Sequence, residues 1–216
     1  MNTDFARCQM IEQQIRTNGV SDPLILAALG RLARDEFIPA AYVDLAFADC
    51  EIPLPYGQCM LRPMIEGKIL QALALQADDS VLEVGTGTGY FTACLALLAK
   101  QVVSIDIHSE FIARAEINLA DAGISNVELH CMDVLRELPP GDFDAIVISG
   151  SVLELDESVI NAMKPGGRLF AVIGESPAKE AVLVTRDVGQ NWQTASLFET
   201  DLPALVNATE TPAFFF

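Results

Sequence analysis

The sequence predicts an α/β protein: a doubly wound, mostly parallel sheet preceded by a helical extension and closed by an antiparallel hairpin. Three observations predict it. From Ser80 onward, short apolar runs alternate with runs of helical period, the pattern of parallel strands joined by crossover helices. Before Asp79 the chain shows helical periodicity and a proline-rich loop. At the far end, EAVLVTRD and TASLFET read as two strands joined by the polar turn DVGQNWQ. The 216 residues form one domain, with an extension over 1–78 and a core over 79–216.

Taken in order, residues 4–17 place Phe5, Cys8, Ile11 and Ile15 at helical spacing, and Asn18-Gly19 ends that helix. Asp22-Pro23 opens a second, with Leu24, Ala27, Ala28 and Leu32 facing inward. FIPAAYVDLAF turns at its proline into a short helix, and the two prolines of EIPLPYGQ make it an extended loop. Pro63 suits the first turn of a helix through PMIEGKILQALAL. SVLEVG is then a buried strand, YFTACLALLAK a helix, VVSIDI a strand, and SEFIARAEINLADAG a helix closed by Gly123. NVELHCMD and FDAIVISG are strands, LELDESVINAMK a helix and GGRLFAVIG a strand.

Hydrophobic residues make up 51% of the chain, enough for a large core. A formal net charge of −17 argues against a nucleic-acid partner or an anionic membrane surface, because phosphate binding needs clustered Lys and Arg. The five cysteines (Cys8, Cys50, Cys59, Cys94, Cys131) include no CxxC pair, and their odd count fits reduced, mostly buried thiols. His108 and His130 cannot complete a zinc site with cysteines so scattered, so no metal is expected. With no signal-peptide pattern and no apolar run long enough to span a bilayer, the expected location is the cytoplasm.

VLEVGTGTGY carries the chemistry. Gly85, Gly87 and Gly89 follow a strand and precede a helix, where glycine allows a tight turn and close approach to a ligand. The helix start offers free N–H groups and the positive end of a dipole. Asp106 ends the second strand, where a carboxylate can accept from both ribose hydroxyls. Asp133 ends the third strand on the same edge, within reach of an adenine amino group. Against a dinucleotide site, the spacing is GxGxG rather than GxGxxG. Glu83 lies two residues before the glycines, where a carboxylate would repel a pyrophosphate but tolerate a sulfonium and an ammonium.

VLEVGTGTGYFTACLA resembles the cofactor motif of the protein-L-isoaspartate O-methyltransferase family. MIEQQIRTNGVSDPLILAALGRLARDEFIPAAYVDLAF is similar to that family's N-terminal helices, including the FIP turn, and FDAIVISG and MKPGGRLFAVIGE to its later strands. The resemblance implies a seven-stranded methyltransferase sheet. It implies S-adenosyl-L-methionine as donor, S-adenosyl-L-homocysteine as product, and the α-carboxylate of an isoaspartyl residue in a damaged protein or peptide as acceptor. It puts Glu83, Gly85, Thr86, Gly87, Asp106 and Asp133 on cofactor-binding positions, with Gly89, Ile107 and Val134 completing the expected set. A carboxylate is already ionised at neutral pH, so no general base is required.

One loop departs from the family. The usual GQTISQP is here Gly57-Gln58-Cys59-Met60-Leu61-Arg62-Pro63. Cys59 stands for Thr, Leu61 for Ser and Arg62 for Gln, and these three are the candidate acceptor-side residues. Leucine cannot donate the hydrogen bond that the family's serine supplies beside the reacting carboxylate. Arg62 reads either as a clamp on an anionic acceptor or as a solvated residue at a helix start. The end of the chain differs too: LPALVNATE replaces a basic-aromatic strand, and Phe214, Phe215 and Phe216 are expected to pack on the domain or on a second subunit, as in a homodimer. Isoaspartyl methylation is therefore expected to be weak or absent. The alternatives are a methyltransferase with another acceptor, or a non-catalytic module that binds the cofactor or a partner. An NAD-dependent oxidoreductase is a distant third.

Overall fold

The computed structural model of the protein describes residues 3–189 and 191–208. The expectation for the three terminal phenylalanines falls outside the described residues.

Helix α1 (Thr3–Gln9) runs directly into a π-helical turn over Met10–Ile15 and a 3₁₀ turn over Arg16–Asn18, and Gly19 ends the run at φ 92°. The wider π turn shifts the helical phase. The inward residues are Met10 and Ile15, while α1 itself buries nothing. Phe5, expected inward, is 63% exposed, and Cys8 is exposed as well. Helix α2 (Pro23–Arg31) is capped by Asp22, whose carboxylate accepts from the Leu24 N–H at 2.8 Å. It buries Ile25, Ala28 and Leu29, with Leu32 buried just beyond its end. Leu24, at 69% exposure, and Ala27 face outward against expectation. LILAALG is apolar nearly all round, so its periodicity could not choose the face that the Asp22 cap sets.

Two 3₁₀ turns, Arg34–Phe37 and Ala40–Leu45, flank Ile38-Pro39. EIPLPYGQ is more than an extended loop. Strand β1 (Ile52–Pro53) pairs antiparallel with β2 (Cys59–Met60) around a turn over Pro55–Gly57, with Tyr56 at φ 62°. Helix α3 (Pro63–Leu73) follows, with Pro63 in its first turn as expected.

The core then alternates β3 (Ser80–Val84), α4 (Tyr90–Leu98), β4 (Gln101–Asp106), α5 (Ser109–Asp121), β5 (Val127–Cys131), β6 (Phe143–Val152), α6 (Glu157–Asn161), β7 (Met163–Ile173), β8 (Glu180–Arg186) and β9 (Trp192–Glu199). The seven strands β3–β9 form one sheet in the order β5-β4-β3-β6-β7-β8-β9. Pairings up to β7 are parallel, and β8 and β9 form the antiparallel hairpin. The apolar runs are buried on both faces, as a parallel sheet requires. Val81, Ala145 and Val147 pack with the N-terminal helices, α3 and α4 on one face. Leu82, Val84, Ile146 and Ile148 pack with α6 on the other. Helix α6 is only five residues long because Met163 already belongs to β7.

Strand order reverses at β3, which lies between β4 and β6. Loops leaving neighbouring strands diverge there and open a crevice at the carboxyl edge. After β9 the chain returns across that edge. Ser151 bridges Ala204, its N–H donates to the Pro203 carbonyl at 2.9 Å, and the Leu205 N–H donates to the Ser151 carbonyl at 2.9 Å. A Cβ on Gly150 would lie 2.7 Å from a Leu205 methyl, so only glycine admits this strap so closely.

Candidate active site

The crevice is an open cleft lined by the glycine turn, the tips of β4 and β5, the β1–β2 loop and the strap. Its base is the glycine turn. Gly85, Gly87 and Gly89 sit at φ 99°, 52° and 82°, a region that side chains strain to reach. The turn spends several of its own donors internally. Gly85 and Thr86 donate to the Ile105 carbonyl at 2.8 and 3.3 Å, and Gly87 donates to Asp106 Oδ2 at 3.0 Å. Gly85, Thr86 and Gly87 line the cleft, whereas Gly89 lies behind them against Ala115.

The tips of β4 and β5 form one wall: Asp106, Ile107, Asp133 and Val134 all line the cleft, as expected. Asp106 also accepts from the His108 N–H at 3.0 Å. Burial raises its carboxyl pKa, opposed by the N–H groups of Gly87 and His108. Asp133 caps its own turn, accepting from the Leu135 N–H at 3.0 Å, and takes a second bond from Asn207 of the strap at 3.0 Å. Above this wall the His108 ring stacks on Tyr56 with centroids 4.0 Å apart, tying the β1–β2 loop to the tip of β4.

Glu83 does not line the cleft. It is fully buried beneath the turn, with Thr92 and Ser104 donating to its Oε2 at 2.5 and 2.6 Å. Ser104 in turn shares a 2.6 Å bond with Thr86. Burial pushes the Glu83 carboxyl up to about 8 against the pull of those hydroxyls. It is mostly protonated at neutral pH, so the charge argument made from its sequence position does not hold. Its role is to brace the turn through Ser104 and Thr86.

The opposite wall is the divergent loop. Cys59, Met60 and Leu61 line the cleft, and Met60 and Leu61 are buried. The Cys59 thiol is pushed up to about 12 by burial and by Glu51, which rules it out as a thiolate nucleophile at neutral pH. Arg62 is not among the residues lining the cleft; it precedes α3 at the N-cap position, half-buried, with its Nε buried and unpartnered among the described residues. The other cysteines correct a second expectation. Cys94 is buried and Cys50 half-buried, but Cys8 and Cys131 are exposed, because α1 buries nothing and Cys131 ends an edge strand.

Beneath the loop lies a feature that sequence reasoning missed. Arg34 is 0% exposed and Glu66 1% exposed, and they form an ion pair. Arg34 also donates to the Leu61 carbonyl at 2.6 Å and sits 4.5 Å over the Tyr90 ring. One guanidinium thus joins the acceptor-side loop, α3 and the first turn of α4. Leu205 and Val206 of the strap close the remaining side.

The family profile for protein-L-isoaspartate(D-aspartate) O-methyltransferase matches residues 6–203. This chain belongs to that family. A relative named protein-L-isoaspartate O-methyltransferase from Koribacter versatilis is 35% identical over 215 residues, covering 98% of this chain and 96% of its own. Protein-L-isoaspartate O-methyltransferase 1 of Rhodopseudomonas palustris is 38% identical over 188 residues, 85% of this chain and 77% of its own. A Plasmodium falciparum chain solved with S-adenosyl-L-homocysteine superposes with a TM-score of 0.81 over 95% of this chain and 98% of that one; at 18% identity it shows the shared fold. The glycine turn, the acidic strand tips and the loop bearing Leu61 all fall within the matched residues.

Proposed function

We propose that the protein is an S-adenosyl-L-methionine-dependent methyltransferase acting on a carboxylate of a protein or peptide, with the isoaspartyl carboxylate as the first acceptor to test. The observation that carries this reading is the meeting, in one cleft, of the glycine turn, the Asp106 and Asp133 tips, and the loop bearing Leu61. The cleft fits the donor on its own terms. Tyr90 Oη, His108 Nε2 and Ser149 Oγ belong to residues in its wall, and all three atoms are buried without a hydrogen-bond partner among the described residues. When bound, S-adenosyl-L-methionine supplies a methyl carbon on sulfur: the acceptor oxygen forms the C–O bond as the C–S bond breaks, the electron pair goes to sulfur, and no proton moves.

The chain's own work is to hold and desolvate. Asp106 accepts from ribose hydroxyls at the tip of β4, and Asp133 from an adenine amino group at the tip of β5. Leu61, Met60 and Leu205 exclude water from the acceptor side, raising the free energy of a carboxylate before it reacts. No Lys or Arg is among the described lining residues, so an anionic acceptor must be aligned by neutral donors. Every wall comes from one chain, so the reading does not require a homodimer. Free cysteines, two of them exposed, fit a reducing cytoplasm. Among the described residues no helix is long and apolar enough to cross a membrane.

The test is methanol release from a base-treated isoaspartyl peptide after incubation with the donor, beside its aspartyl control. The expected result is transfer to the isoaspartyl peptide alone, at a rate that rises in a Cys59→Thr, Leu61→Ser double variant. Binding of NADH in place of S-adenosyl-L-homocysteine would overturn the reading.

A further inference from the structure

An anionic acceptor in this cleft needs a hydrogen-bond donor at the reacting end, and Leu61 cannot be that donor. We propose that Ser149, on β6, is the hydroxyl that aligns the acceptor carboxylate in its place, an inference that rests on the carboxyl-methylation reading above. Ser149 lines the cleft, and its Oγ is buried with no partner among the described residues. A buried hydroxyl left unpaired costs stability, and a ligand that accepts from it removes that cost.

Its place in the fold separates it from the other two unpaired groups. Pairing of β6 with β3 ends at Ile148, and its ladder with β7 lapses between Val147 and Ser151. Ser149 therefore sits at an irregularity in β6 beside the order reversal, past the end of the β3 pairing and before pairing with β7 resumes at Ser151. It abuts the glycine turn: a Cβ on Gly85 would lie 3.3 Å from the Ser149 Cβ. Asp106 and Asp133 occupy the tips of β4 and β5 on the other side of β3, so nucleoside hydroxyl and amino groups are served there. His108 belongs to that side too, stacked on Tyr56. The Tyr90 ring is held under Arg34 and edge-on to Phe37. Ser149 is left beside Gly150, where Leu205 closes over the acceptor side.

In the step itself Ser149 keeps its proton. It donates to one carboxylate oxygen, which fixes the orientation of the other; that oxygen uses its lone pair on the methyl carbon. A bond to the attacking oxygen would weaken as its charge is lost, so the aid is positional and is read in kcat/KM.

The experiment compares the full-length protein with Ser149→Ala, alone and combined with Leu61→Ser. Turnover of an isoaspartyl peptide and affinity for S-adenosyl-L-homocysteine by calorimetry are both measured. The expected result is a ~10- to 100-fold fall in kcat/KM for Ser149→Ala, the size of one lost hydrogen bond to a charged group. S-adenosyl-L-homocysteine affinity and melting temperature should not fall, and Leu61→Ser should restore much of the loss. Undiminished turnover in Ser149→Ala would overturn the proposal while leaving the functional reading intact. So would a fall in S-adenosyl-L-homocysteine affinity equal to the fall in kcat/KM, since the hydroxyl would then serve the cofactor. If the unmodified protein binds S-adenosyl-L-homocysteine but neither binds nor methylates the peptide, the functional reading fails and this proposal with it.

Discussion

Replacing Glu83 with Gln should change how the fold's stability depends on pH. The folded carboxyl holds its proton up to about pH 8, against an ordinary value of 4.5. Between those values unfolding releases a proton, so raising the pH favours the unfolded chain. The stabilisation is complete below about 4.5 and is lost as pH rises through the folded value. The slope is about 1.4 kcal/mol per pH unit in mid-range, and it flattens near the folded value. From pH 6 to pH 8 the loss comes to about 2 kcal/mol. Gln is the right perturbation because its carbonyl can still accept from Thr92 and Ser104, while its amide carries no titrating proton. Urea unfolding of both proteins at pH 6, 7 and 8 isolates the term, since every other group titrates alike in the two. Wild type should lose about 2 kcal/mol relative to Glu83→Gln across that range. Parallel stability profiles would show that Glu83 is ionised in the folded protein, and the account of a neutral brace beneath the glycine turn would be refuted.

Two further outcomes are expected. Arg34→Met strands a buried carboxylate and should cost about 3–5 kcal/mol in urea unfolding, most of it recovered when Glu66→Leu is added; equal losses in the single and double variants would show the pair to be uncoupled. Asp106→Ala should weaken S-adenosyl-L-homocysteine binding by about 1–3 kcal/mol in calorimetry, because ligand hydroxyls lose a charged acceptor, and an unchanged affinity would remove Asp106 from the site.

The parts of the site legible in the sequence are those governed by local rules. The glycines must follow one strand and open a helix, and Asp106 and Asp133 must end the next two, so their meeting at one sheet edge follows from parallel topology. The alternation of elements was equally plain from Ser80 onward. Arg34 and Glu66 were not legible as partners. They are 32 residues apart, and each taken alone has the look of a solvated charge; their pairing depends on how α3 packs beneath the β1–β2 loop. Ser149 lies within an apolar strand without any motif, and only its missing partner marks it. Glu83 was found by position, but its protonation depends on a depth of burial that spacing does not encode. The inward face of α2 was misjudged because an apolar run offers no phase, and Phe5 because a π turn resets one.

The strap over the cleft bears on when the protein becomes competent. Leu54 to Leu61 enter one wall early in the chain, while Leu205 and Val206 supply another close to its end. A domain folds as a unit, so a site walled from both halves of the chain is complete only when the later half has docked. Until residues 203–207 dock, Ser151 has no Ala204 to bridge and Asp133 no Asn207 to receive. Without that docking the glycine turn and both acidic strand tips would line a cleft open to water on the acceptor side. Competence for carboxyl chemistry in this sense depends on the docking of a segment far downstream of the glycine turn.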